Sequence, residues 1–130
     1  MARQWLRRHP FLHLWLPLMA WMGLIFYLSA QPDLPHPDVG WADLLVSNGA
    51  HATVFGVLAV LWARALGEHP RTLLVALALT LLYALSDEFH QAFVPGRNPD
   101  PWDVAFDGLG AAVGLGLWIR WKRRQCCAAK

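Results

Sequence analysis

The chain has 130 residues, of which 56% are hydrophobic and 15% charged, with a net charge of +2. A soluble domain averages about 45–50% apolar and about 25% charged, so the balance argues against an ordinary water-soluble protein and for one built in a lipid bilayer. The length suits one domain, taken as 1–130, and the small net charge gives no reason to expect a nucleic-acid partner.

The chain opens with a short basic stretch containing Arg3, Arg7 and Arg8. Residues 11–30 follow with no Asp, Glu, Lys or Arg. At 1.5 Å per residue, about 20 residues cross a hydrocarbon core of about 30 Å. A cleaved leader is the alternative, but the run is long, and a cut after Ala30 would put Leu28 where a small residue is wanted. An uncleaved first helix is expected, with Pro17 as the place where it would kink.

Residues 31–43 read as a loop, with Pro32, Pro35, Pro37, Gly40 and three aspartates, Asp33, Asp38 and Asp43. The second apolar segment is 44–66, interrupted by Ser47, Asn48, His51 and Thr53. After a tight polar turn at 67–71, the third segment, 72–94, stays apolar until Ser86. A Pro- and Gly-rich turn at 95–101 leads to the fourth segment, 102–121, and then to a basic tail, 120–130. The predicted fold is therefore all-α: a bundle of four transmembrane helices. Cys126 and Cys127 are adjacent and cannot staple such a fold. A reduced pair of no consequence is expected, with acylation or metal capture as alternatives.

Orientation follows from Lys and Arg. With both termini cytoplasmic, ten of the eleven basic residues fall inside and only Arg97 outside, as cytoplasmic loops require. Eight of the nine acids, all but Glu68, then fall in the outer half or outer loops. Trp41 and Trp102 lie at the outer interface, Trp5, Trp62, Trp118 and Trp121 near the inner one, and Trp21 in mid-span.

The polar residues gather at one level. By helix rise, His51 and Asp87 lie about 10 Å below the outer end of their segments, Asp107 about 8 Å, and His90, Gln91 and Asp103 about 5 Å. Ser29 and Gln31 end the first segment at the same side. Helical spacing puts Asp87 on one face with His90 and Gln91, and His51 with Asn48 and Phe55. Asp103, Asp107, Gly110 and Gly114 form one stripe, polar above and small below, where Gly110 and Gly114 are a weak signal for close helix packing. An ionised side chain at mid-membrane costs about 2.5–3.5 kcal/mol, so these acids need partners or water. Arg97 and the histidines are the counter-charges at hand. The expected arrangement is a polar cup open to the outside.

Ser86-Asp87-Glu88-Phe89-His90-Gln91, then Pro95-Gly96-Arg97, then Asp103 and Asp107 with Gly110 three residues on, resemble the signature of the VanZ-like membrane proteins. His51-Ala52-Thr53-Val54-Phe55-Gly56 resembles that family's second-helix motif, and Tyr27-Leu28-Ser29-Ala30-Gln31-Pro32 the end of its first helix. The resemblance covers all four helices in order. The acid-rich stretch with Pro-Gly-Arg is its specific part; Phe-Gly and the Gly pair are generic. It implies a small bacterial inner-membrane protein with a role at the cell envelope. The family is named for a member linked to resistance to the antibiotic teicoplanin, but resistance itself does not transfer to this chain. A fourth-helix position often held by Asn or Asp in the family is Asp107 here, which adds a formal charge.

Four uses of the cup stay open, of which transport or proton relay is the least suited, since four short helices make a poor pathway without oligomerisation. It could bind the head group of a lipid, a glycopeptide or a cell-wall precursor, with Arg97 as a two-pronged clamp for an anion or carboxylate and Ser29, Gln31, His51, Asp87, Glu88, His90, Gln91, Asp103 and Asp107 as further ligand contacts. It could be an active site, with Glu88 or Asp87 as general base and His51 or His90 as acid; a metal variant would use His51, His90 and Glu88. It could be a structural network holding the bundle. Binding is the favoured use, catalysis is not, and no cofactor is expected. The expected partners are the bilayer, an envelope lipid or glycopeptide, and a second copy of the chain. Gly96 is expected in a turn at positive φ. His9, His13, His36 and His69 are expected at the surface.

Overall fold

The computed structural model describes residues 10–31, 41–67, 69–97, 99–128; within these, the side chains of Pro10 and of 41–47 are left aside. The expectations for Arg3, Trp5, Arg7, Arg8, His9, His36 and the loop aspartates Asp33 and Asp38, and for the side chains of Trp41 and Asp43, lie outside the described part.

Four helices follow one another: α1 (Pro10–Ser29), α2 (Trp41–Leu66), α3 (Pro70–Gln91) and α4 (Pro101–Ala128). No strand occurs among the described residues. All four are long and apolar enough to cross a membrane. Their outer faces carry Phe11, Leu16, Leu74, Leu82, Phe89, Leu109 and Leu117, each more than half exposed. A surface of this kind is untenable in water and ordinary against lipid tails.

The helix ends explain where the expected boundaries shift. Gly67, at φ +97°, ends α2, a backbone conformation that costs a residue with Cβ about 1–2 kcal/mol. His69 precedes α3, its Nδ1 accepting the Arg71 N–H at 3.3 Å, and Pro70 occupies the first turn, where its missing N–H costs nothing. His69 is exposed as expected, yet it works as a cap. Helix α3 stops at Gln91, three residues before the expected end, because the chain turns through Gly96 at φ +84°. The Arg97 N–H closes that turn on the Val94 carbonyl at 3.1 Å. Before α4, the Asp100 carboxylate accepts the Trp102 N–H at 3.0 Å, as an N-terminal capping side chain does. Helix α4 then continues to Ala128, so most of the expected basic tail is helical. Nothing after Trp121 breaks it: Lys, Arg, Gln and Ala are good helix formers.

Short connections make α2 and α3, and α3 and α4, antiparallel neighbours. The α2–α4 pair is therefore parallel, and it is the tightest in the bundle. A Cβ added to Gly110 would run into the Ala52 carbonyl; one added to Gly114 would come within 2.7 Å of the Gly56 oxygen, and one on Gly56 within 2.9 Å of the Gly110 oxygen. The two backbones touch over two turns, which only glycine permits. The weak Gly-xxx-Gly signal thus marks a real helix contact. Helix α1 attaches through two hydrogen bonds: Trp21 Nε1 donates to the Val54 carbonyl at 3.0 Å, and the Tyr83 hydroxyl to the Met22 carbonyl at 2.7 Å. Leu18, Ile25, Phe55, Leu58 and Ala84 form the core between α1, α2 and α3. Ala59, Ala63, Ala76, Ala111 and Leu115 form the core where α2, α3 and α4 meet.

Candidate functional site

The polar residues do meet at one end of the bundle, and α2 and α4 bring the deepest pair together. His51 sits one turn above Phe55 on the same face, the two rings nearly parallel at 6.4 Å. From α4, Asp107 reaches it: Nδ1 to Oδ1 is 3.4 Å, and Asp107 is 1% exposed. A hydrogen bond from N–H to oxygen spans about 2.7–3.2 Å, so this is an electrostatic contact, an ion pair when His51 is protonated. The glycine contact just below sets the distance, since Gly110 lies one turn beyond Asp107.

The other residues come from α3 and its turn. Gln91 Nε2 donates to Asp87 Oδ2 at 3.0 Å, the i,i+4 pair that the spacing anticipates. Glu88 takes the backbone N–H of Asp100 on one carboxylate oxygen at 2.9 Å. Arg97 Nε donates to the Gln31 carbonyl at 3.2 Å, tying the end of α1 to the α3–α4 turn. His90 stacks on Phe26 of α1, ring centres 4.4 Å apart. Asp103, half-buried, lies on α4 one turn before Asp107, its N–H donating to the Asp100 carbonyl at 2.9 Å. Ser29 is buried at the end of α1. All ten sequence-derived site residues therefore lie at the same end, and all but Ser29 make a side-chain or backbone contact with another element or a neighbouring turn.

The arrangement is more closed than the expected cup. Ser29, Asp87, Glu88, Gln91 and Asp107 are all buried. The reason is the turn: by stopping α3 early, it folds Arg97 and Asp100 back over the α3 end. Ser86 is not part of the cluster; it is exposed and its hydroxyl bonds the Tyr83 carbonyl at 2.7 Å. Two contributions were missed because they are main-chain groups. The N–H of Asp100 and the carbonyl of Gln31 hold Glu88 and Arg97, and no side-chain type in a sequence signals that.

Several polar atoms of this end remain unmatched. Ser29 Oγ, the second oxygen of Glu88, His90 Nδ1 and Arg97 Nη2 are buried with no hydrogen-bond partner among the described residues, and His51 Nδ1 and Asp107 Oδ1 have only their 3.4 Å contact with each other. Buried polar atoms are ordinarily paired, and each one left unpaired costs about 1–3 kcal/mol. The cluster thus holds two donors or acceptors of either kind, one carboxylate oxygen and one guanidinium nitrogen to spare. Among the described residues no three His, Cys, Asp or Glu side chains are disposed to hold a metal ion, so His51, His90 and Glu88 do not assemble as a ligand set. Cys126 and Cys127 are free and exposed at the far end of α4.

No curated protein and no solved structure matches the chain. The family model VanZ/LLP1 matches residues 14–122, from the second turn of α1 to the last third of α4 and across every residue of the polar cluster. The chain belongs to the VanZ/LLP1 family of membrane proteins.

Proposed function

We propose that this four-helix membrane protein binds the polar head group of an envelope lipid, glycopeptide or cell-wall precursor at the cluster around Glu88 and Arg97. It would do so from the outer face of a bacterial cytoplasmic membrane, with both termini inside. One observation carries the reading: the unmatched set of Ser29 Oγ, one Glu88 oxygen, His90 Nδ1 and Arg97 Nη2. A network kept only to hold helices together would gain by pairing these atoms, and apolar packing would hold four helices without them. A ligand carrying both a hydroxyl or amine and an anionic group offers the kinds of partner these atoms lack. Arg97 supplies the anion contact while its Nε stays fixed on Gln31. The many paired contacts support a second, structural role for the same residues, and the two readings part in one measurement.

That measurement is the thermal unfolding of detergent-solubilised protein, wild type beside Glu88→Gln and Arg97→Ala, with teicoplanin and a polyprenyl phosphate as probes. Binding predicts a rise in unfolding temperature with one probe for the wild type and no rise for Arg97→Ala, whose own baseline falls only by the loss of the Gln31 bond. Clear destabilisation of both variants, with no probe effect on any sample, would make the cluster scaffold and sink the binding reading.

A further inference from the structure

A cavity lies away from the polar cluster. It is a groove of about 730 Å³ lined by α2 and α4 alone. Its floor is the glycine contact of Gly56, Gly110 and Gly114, where no side chain stands to fill the furrow. Its rims, Val57, Leu109, Val113 and Leu117, are exposed and apolar. Thr53, at one end, commits its hydroxyl to the Gly49 carbonyl at 2.7 Å. At the other end stands Arg64, half-buried and with no acidic partner among the described residues.

Length and charge say what fits. From Thr53 to Arg64 the helix rises about 16 Å, close to half of a hydrocarbon core of about 30 Å, that is, one leaflet. Because α2 and α4 run parallel, Arg64 comes level with Trp118, Trp121 and Lys122. Lys122 Nζ lies 5.1 Å over the Trp118 ring, and Arg120, Arg123 and Arg124 follow on α4 with no acid beyond Asp107. Tryptophan beside cations is the composition of a membrane–water interface. The groove is thus apolar for the depth of one leaflet and cationic at its head-group end.

We propose that this groove is a binding site for an anionic phospholipid, one acyl chain lying over Gly56, Gly110 and Gly114 and the phosphate head group at Arg64. A zwitterionic lipid would offer Arg64 its phosphate but bring a further cation to an end of the groove already rich in Lys and Arg. A second copy docked by a two-fold axis along the membrane normal would set the two Arg64 side chains at the same depth, like charge facing like. The site is independent of the polar cluster, which lies beyond the opposite end of the groove.

The test titrates the purified full chain with phosphatidylglycerol and with phosphatidylcholine of the same acyl chains, counting bound lipids by native mass spectrometry. The wild type should prefer phosphatidylglycerol. Arg64→Gln should cut that preference about five-fold, the share of one interfacial cation, while Arg64→Lys keeps it. Val113→Trp, which fills the exposed rim, should weaken both lipids. Equal binding of the two lipids by wild type, an unchanged preference in Arg64→Gln, or a protein dimer that Val113→Trp dissociates would each overturn the proposal.

Discussion

At the scale of single residues, the glycines on α4 make the sharpest contrast. Gly110 faces the Ala52 carbonyl with no room for a methyl group, while a Cβ on Gly116 meets nothing within 4 Å. Gly110→Ala should push α2 and α4 apart and cost about 1–3 kcal/mol, as overpacking does. Gly116→Ala should be neutral or stabilising by up to about 1 kcal/mol through helix propensity. Thermal unfolding in one detergent compares them directly, and equal behaviour would refute the close contact. The His51–Asp107 pair is the second case. Truncating either member leaves a buried polar group with less company, which typically costs about 3 kcal/mol or more when the group is charged. The double variant His51→Ala, Asp107→Ala should cost clearly less than the sum of the two single ones, and an additive cycle would show that the two side chains do not interact.

At the scale of elements, the α3–α4 turn decides how the polar cluster is closed. Gly96 sits at φ +84°, where an alanine is strained by about 1–2 kcal/mol. Gly96→Ala should therefore loosen the turn that carries both the Arg97 bond to Gln31 and the Asp100 bond to Glu88. Amide hydrogen exchange should rise at 94–100 and leave the α2–α4 contact unchanged; exchange rising throughout would mean that the turn is not a separate unit. Much of this element was legible beforehand. Pro95-Gly96 marks a turn by composition, and the spacing of Asp87 and Gln91 marks a pair. The early stop of α3 was not legible, because Phe93 and Val94 are apolar enough to extend a hydropathy segment. Turn geometry overrode them. In the same way α4 runs past Trp121, since hydropathy reports where lipid ends and says nothing about where a helix ends.

At the scale of the whole molecule, we propose that both termini are cytoplasmic: four spans put them on one side of the membrane, and the Lys and Arg distribution favours that side. A reporter fused after Lys130 should be active in the cytoplasm and inactive outside. Activity outside would invert the orientation and, with it, the side from which the polar cluster is reached. The sequence by itself determined the membrane setting, the four helices and the family, because a bilayer admits few ways to satisfy a backbone and demands about 20 apolar residues for each span. It also determined which polar residues gather, because helix rise and the 3.6-residue period place them before any packing is known. Only the tertiary structure decided that His51 meets Asp107 across α2 and α4, that main-chain groups of Gln31 and Asp100 hold Arg97 and Glu88, and that an apolar groove opens between two parallel helices. Those features depend on how close two backbones approach, and that distance is a property of pairs of surfaces, which no single segment carries.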